Sequence, residues 1–98
     1  MTLTEKQRKH LRKLAHSLKP VIIVGNAGAS DALLAELDQT IEHHELIKVK
    51  VNAGDRDVRD DVVQELLAAT DAVLVNRVGN IATLYRPRKK NPKVKLPK

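Results

Sequence analysis

Ile47-Lys48-Val49-Lys50-Val51 alternates apolar and basic residues with a period of two. Successive side chains of a strand point to opposite faces, so this stretch puts three β-branched residues on one face and two lysines on the other. The first face belongs in a core; the second is basic and faces water. Just upstream the period is different. Leu33, Leu34, Leu37 and Ile41 recur at helical spacing, with Glu36, Asp38 and Glu42 on the wet side. Ser30 or Asp31 can cap that helix. Before it, residues 21–24 (Val21, Ile22, Ile23, Val24) form a short β-branched run between Pro20 and Gly25, which reads as a buried strand. Strand, helix, strand is a crossover, and crossovers join parallel strands.

Further out on the N-terminal side, Thr4-Glu5-Lys6-Gln7 has the form of a capping box and starts a helix at about residue 5. Leu11, Leu14, Ala15 and Leu18 give it an expected core-facing stripe. Lys9, Arg12, Lys13 and His16 share that spacing, displaced by two residues, and so form a cationic ridge nearly opposite. Lys19-Pro20 ends the helix. On the C-terminal side, Asn52-Ala53-Gly54-Asp55 is a loop, and Asp55 or Asp57 can cap a third helix. Val58, Val62, Val63, Leu66 and Leu67 supply its stripe, while Asp60, Asp61 and Glu65 make it acidic. Residues 72–78 and 81–86 are strands joined by Gly79-Asn80, a two-residue hairpin signal. Both faces of this hairpin carry apolar residues, so which face is buried stays open.

The fold class is therefore α/β, in the order α-β-α-β-α-β-β, with a four-stranded mixed sheet and helices packed on it. Residues 1–86 form one domain. Residues 87–98 hold three prolines and no apolar periodicity, and are expected to be a flexible basic tail without a partner.

Net charge over the 98 residues is +6, and it is segregated. Residues 1–20 carry six basic groups and one acid, and residues 86–98 seven basic groups and none. The stretch between is acidic, net −6. Positive charge gathered at two ends suggests a polyanionic partner. There is no cysteine, which excludes disulfides, thiolate metal sites and thiol nucleophiles. His10, His16, His43 and His44 lack the spacing of a metal site. No hydroxyl or acid constellation supports catalysis, so the chain reads as a non-enzyme without cofactor or metal. The longest apolar run near the N-terminus is four residues, and the chain reads as soluble and cytoplasmic.

Gly25-Asn26-Ala27-Gly28 lies between a strand and a helix N-terminus, where exposed N–H groups and the helix dipole favour an anion. It is neither a P-loop nor the dinucleotide fingerprint. Tyr85 is the one aromatic residue, so no platform for stacking bases can be built. Any nucleic-acid affinity must come mainly from phosphates and 2′-hydroxyls, the contacts used on structured RNA.

Leu11-Arg12-x-Leu14-Ala15-His16-x-Leu18-x-Pro20, Val24-Gly25-x-x-Gly28, the run from Glu42 to Val51, and Val78-Gly79 with Leu84-Tyr85-Arg86 together resemble the YhbY-like CRM domain. The resemblance spans roughly residues 3 to 87. It implies a fold similar to the C-terminal domain of bacterial translation initiation factor three. It also implies a single-copy, bacterial-type RNA-binding protein whose partner is ribosomal RNA in large-subunit precursors; a monomer is the expected state. In that family the G-x-x-G loop and neighbouring basic residues contact RNA. Carried over, these are Gly25, Asn26, Ala27 and Gly28, with Arg12, Lys13, Lys48 and Lys50. Lys9 on the ridge and Arg86, Arg88, Lys89 and Lys90 at the start of the tail complete the candidate set. Many members carry a lysine inside the loop; here Asn26-Ala27 leaves backbone N–H groups to hold a phosphate. The rival reading is a protein-interaction module that docks the basic first helix and tail on acidic partners.

Overall fold

The structure, a computed structural model, describes residues 1–98. Its elements are α1 (Glu5–Ala15), β1 (Pro20–Val24), α2 (Asp31–His44), β2 (Leu46–Val51), α3 (Arg56–Thr70), β3 (Val73–Val78) and β4 (Ile81–Tyr85). The expected order is the observed one. Each helix begins at the side-chain cap that its sequence offers. Thr4 and Gln7 form the full capping box on α1, Ser30 accepts from the Leu33 N–H, and Asp55 from the Val58 N–H.

The four strands lie in the order β1-β2-β4-β3. β1 runs parallel to β2, as the α2 crossover requires, and β4 is antiparallel to both β2 and β3. The last strand is thus an interior one.

Both faces of this sheet are covered, by different partners. On one face α2 and α3 pack over Ile22, Val24, Ile47, Val49, Val51, Ala82 and Leu84, with Leu37, Ile41, Val63 and Leu66 from the helices. On the other, α1 brings Leu11 and Ala15 against Leu46, Val75 and Tyr85. Two cores explain why the β3–β4 hairpin shows apolar residues on both sides: Leu84 serves one core and Tyr85 the other. Tyr85 is fully buried, and burial, with the Glu45 carboxylate second, pushes its phenol pKa up.

Three expectations about burial fail. One is Val58, which is 44% exposed in the first turn of α3 and takes no part in that helix's buried stripe. Leu14 and Leu18 are exposed, because α1 ends at Ala15 and its inward stripe is Arg8, Leu11 and Ala15. Arg8 faces inward because β3 bulges between Leu74 and Asn76, and the Arg8 guanidinium donates to the Leu74 and Val75 carbonyls there, at 2.7 Å for Val75. The run at residues 21–24 is only half buried: Ile22 and Val24 reach the core, while Val21 and Ile23 are 51% and 61% exposed. β1 is an edge strand, and α1 covers the three strands beyond it.

Residues 87–98, expected from their composition to be flexible, have a defined course here. Val94 and Leu96 pack against the α1 core, and the Gln7 side chain donates to the Pro97 carbonyl at 3.0 Å. Their anchor is Glu45, a fully buried carboxylate at a positive φ of 65°. It accepts from the backbone N–H groups of Arg88 (3.2 Å), Lys93 (2.6 Å) and Val94 (3.2 Å). Three N–H donors meet the charge that burial would otherwise leave exposed to a low dielectric.

Candidate nucleic-acid interface

The parallel pair β1 and β2 ends on the same side of the molecule, and the turn before β4 lies there too, because β4 runs antiparallel to β2. Three loops therefore converge: residues 25–30 after β1, residues 52–55 after β2, and the turn at residues 79–80. Hydrogen bonds stitch them together. The Asn52 N–H donates to the Val24 carbonyl (2.8 Å) and the Val51 N–H to the Asn80 carbonyl (2.7 Å). The Asn80 side-chain amide donates to the Asn52 side-chain carbonyl (2.8 Å).

In the first loop the Gly28 N–H donates to the Gly25 carbonyl at 3.0 Å, closing a turn. Only Gly28 of that glycine pair needs a positive φ, at 68°, a conformation costly for any residue with a Cβ. Gly25, Asn26 and Ala27 are exposed at the tip, immediately before the N-terminus of α2. Gly79 takes φ 60° in the hairpin turn, as its place at the first central position leads one to expect.

On the α1 face a groove of about 270 Å³ runs from Lys48 and Thr83 in mid-sheet to Val78 and Ile81 beside the β3–β4 turn. Arg12 from α1, His16 at its C-cap and Lys48 from β2 make it basic, Asn76 and Thr83 give it hydrogen-bonding groups, and Ala15 and Ile81 its apolar floor. Lys50 sits one pleat further along β2, level with Ile23 and Ile81 on the neighbouring strands. Arg12 and Lys48 thus share the groove, with Lys48 level with Pro20 at the start of β1 and Lys50 nearer the loop end of the sheet. Lys9 and Lys13 are exposed on α1. His16, at the end of the cationic ridge, lines the groove.

The other basic candidates lie elsewhere. Arg86 follows β4 at the opposite end of the sheet, where its N–H donates to the Glu45 carbonyl. Its guanidinium is paired with Asp38 (2.6 Å) and Glu42 (3.0 Å) and donates to the Thr70 carbonyl. The Arg88 side chain donates to the Glu42 carbonyl, and the Lys89 N–H to the Glu42 carboxylate. Lys89 and Lys90 themselves are exposed. These four residues do not line the groove.

Sequence reading missed one group. Arg56 and Arg59 project from the first turn of α3, and Arg77 joins them from β3. Within an acidic stretch their charges are hidden in the sum, and Arg77 is remote in sequence; only the sheet register brings it near. No group of three His, Asp or Glu side chains is arranged to hold a metal ion, and no helix is long and apolar enough to cross a membrane.

Comparison with known proteins agrees with this architecture. The family model for the CRS1 / YhbY (CRM) domain matches residues 3–86. An RNA-binding protein of Haemophilus influenzae is 40% identical over 97 residues, covering 99% of this chain and 97% of that one. A protein of Pseudomonas aeruginosa named as a candidate RNA-binding protein is 43% identical over 93 residues, covering 95% of this chain and 86% of its own. The solution structure of a Staphylococcus aureus protein, also described as a candidate RNA-binding protein, superposes with a TM-score of 0.82 at 35% identity. That match covers 98% of this chain and 100% of the other.

Proposed function

Because the chain belongs to the CRS1/YhbY (CRM) domain family, we propose that it is an RNA-binding protein that grips structured ribosomal RNA by its backbone during large-subunit assembly. It acts as a monomer in the cytoplasm, without cofactor. The observation that carries this reading is the groove of Arg12, His16 and Lys48, which runs along the sheet toward the β3–β4 turn, on the end where the 25–28 loop also lies. Backbone N–H groups before a helix N-terminus suit a phosphate oxygen, and cations a few residues away suit the next phosphates along the strand. The sole tyrosine is buried in the α1 core, so the chain offers no platform of Phe, Tyr or Trp rings for stacking bases. What remains is charge, shape and hydroxyl contact, the means by which folded RNA is recognised.

Sedimentation with large-subunit precursors, with and without ribonuclease, tests the reading. Release on ribonuclease treatment supports it; retention favours a protein partner instead. Binding to structured ribosomal RNA should also weaken linearly in log salt, by roughly 0.7–0.9 log units for each phosphate neutralised. A slope near zero rules out the backbone grip.

A further inference from the structure

The first turn of α3, the end of β3 and the β3–β4 turn form an open cavity of about 680 Å³ lined by Arg56, Arg59, Arg77, Gly79 and Asn80, with no apolar residue. It lies on the α2/α3 face of the hairpin, while the groove of Arg12 and Lys48 lies on the α1 face. The alternation of β3 makes this so: Arg77 points one way, and Asn76 and Val78 the other. Three guanidiniums in one cavity repel each other unless something negative is near. Asp60, paired with Arg77, is the one carboxylate within ion-pair distance of the three, although Asp55 caps α3 and Asp57 stands in its first turn. Arg56 is exposed and makes no ion pair. Arg59 donates one Nη1 bond to the Gly54 carbonyl at 3.1 Å, and its Nε is buried without a partner. The wall is therefore a set of forked donors with bonding capacity to spare. Several acceptor oxygens carrying negative charge are what such a wall fits, and phosphate provides them in the bidentate geometry that arginine prefers.

We propose that this cavity binds a backbone phosphate of the RNA, as a second grip on the opposite face of the hairpin from the α1 groove. The proposal rests on the RNA-binding reading and deepens it. The tip of the hairpin, where Val78 is 71% exposed, stands between two cationic surfaces, so bound RNA lies along both sides of it.

The test follows the backbone amides of Gly79 and Asn80 and the Arg59 Nε–H by NMR during titration with structured ribosomal RNA and, separately, with inorganic phosphate. In parallel, the salt dependence of RNA binding is compared between the natural chain and an Arg56→Ala/Arg77→Gln variant. Arg56 is exposed and glutamine can still bond Asp60, so an unchanged melting temperature is expected. The expected result is that RNA moves these resonances and that the variant's log–log salt slope is shallower by roughly 0.7–0.9, one phosphate's worth. RNA that binds with the same slope to both chains, leaving the resonances in place, overturns the cavity while the RNA-binding reading stands. Inorganic phosphate moving them as strongly as RNA at equal phosphate concentration overturns the RNA assignment in favour of a free-anion site. If the natural chain binds no RNA, the broader reading and the RNA occupant both fail, and the phosphate titration alone decides whether an anion cavity survives.

Discussion

The side-chain amide of Asn80 donates to the side-chain carbonyl of Asn52 at 2.8 Å, joining two loops 28 residues apart. Because the Asn80 carbonyl also receives the Val51 N–H, this one residue holds the hairpin turn against the loop that starts α3. The contact is exposed, so its worth to stability is at the low end for a hydrogen bond, about 0.5–1 kcal/mol. Asn80→Ala should cost no more than that in urea denaturation. It should nonetheless weaken RNA binding severalfold, because two contact-bearing loops lose their fixed spacing. RNA affinity equal to that of the natural chain would mean that the loops need not be held together.

The 25–28 loop is tested by charge. Asn26→Asp with Ala27→Asp puts two carboxylates at the exposed tip where a phosphate is proposed to sit. Like charges a few ångströms apart repel by about 1–4 kcal/mol before screening, which corresponds to a loss of roughly ten- to a thousandfold in affinity. The melting temperature should hold, since neither position needs a positive φ and carboxylates suit a helix N-terminus. Gly28→Ala should instead lower stability, by about 1–2 kcal/mol, because of its φ of 68°. Normal RNA binding by the double aspartate variant would reduce the loop to a turn.

Much of this architecture was legible in local pattern. The capping box, the period-two run at residues 47–51 and the Gly79-Asn80 turn each depend on neighbours within a few residues, and each is where the sequence puts it. Features that depend on the sheet were not legible. Nothing near Val21 and Ile23 says that they sit on an edge strand beyond the reach of α1. Arg8 looks like one more cation of a basic helix, yet its guanidinium serves the carbonyls of the β3 bulge, 66 residues away for Leu74. The arginine cavity was hidden for the same reason, because charge summed along a chain is blind to what folding brings together. Leu14 fits the helical period, but the helix ends one residue after it and the period promises it no partner.

Glu45 should control the C-terminal segment. Glu45→Ala removes the acceptor of three backbone N–H groups, and the freed donors must turn to water. A loss of about 1–3 kcal/mol is expected. Hydrogen exchange at Lys93 and Val94 should accelerate well beyond that at core positions such as Val49. Equal protection at those two amides in the variant would show that Val94 and Leu96 hold the segment by packing alone.

Tyr85 makes stability depend on alkaline pH. Its phenol is raised above the ordinary 10.0 by burial and by the Glu45 carboxylate. The unfolded chain therefore releases this proton at a lower pH than the folded one does. The stabilisation is fully present below about pH 10 and falls as pH rises through the unfolded value and on toward the folded one. Thermal melts from pH 8 to 11 should show a steeper decline for the natural chain than for Tyr85→Phe. With no other tyrosine and no tryptophan, absorbance near the phenolate band reports on this residue alone. Identical pH profiles for the two chains would show that the phenol ionises as freely in the fold as in the open chain.

The strand order bears on how the chain is synthesised. β4 is translated after every other strand, yet its place is between β2 and β3. Until it emerges, β2 keeps one edge unpaired and β3 has no strand to pair with. Both are rich in valine, and an open apolar edge is a template for other chains. A nascent chain that has reached only the Gly79-Asn80 turn lacks Leu84 from one core and Tyr85 from the other. The last strand to leave the ribosome therefore shields both edges and adds a side chain to each core in a single step, leaving Val94 and Leu96 to close the α1 core after it.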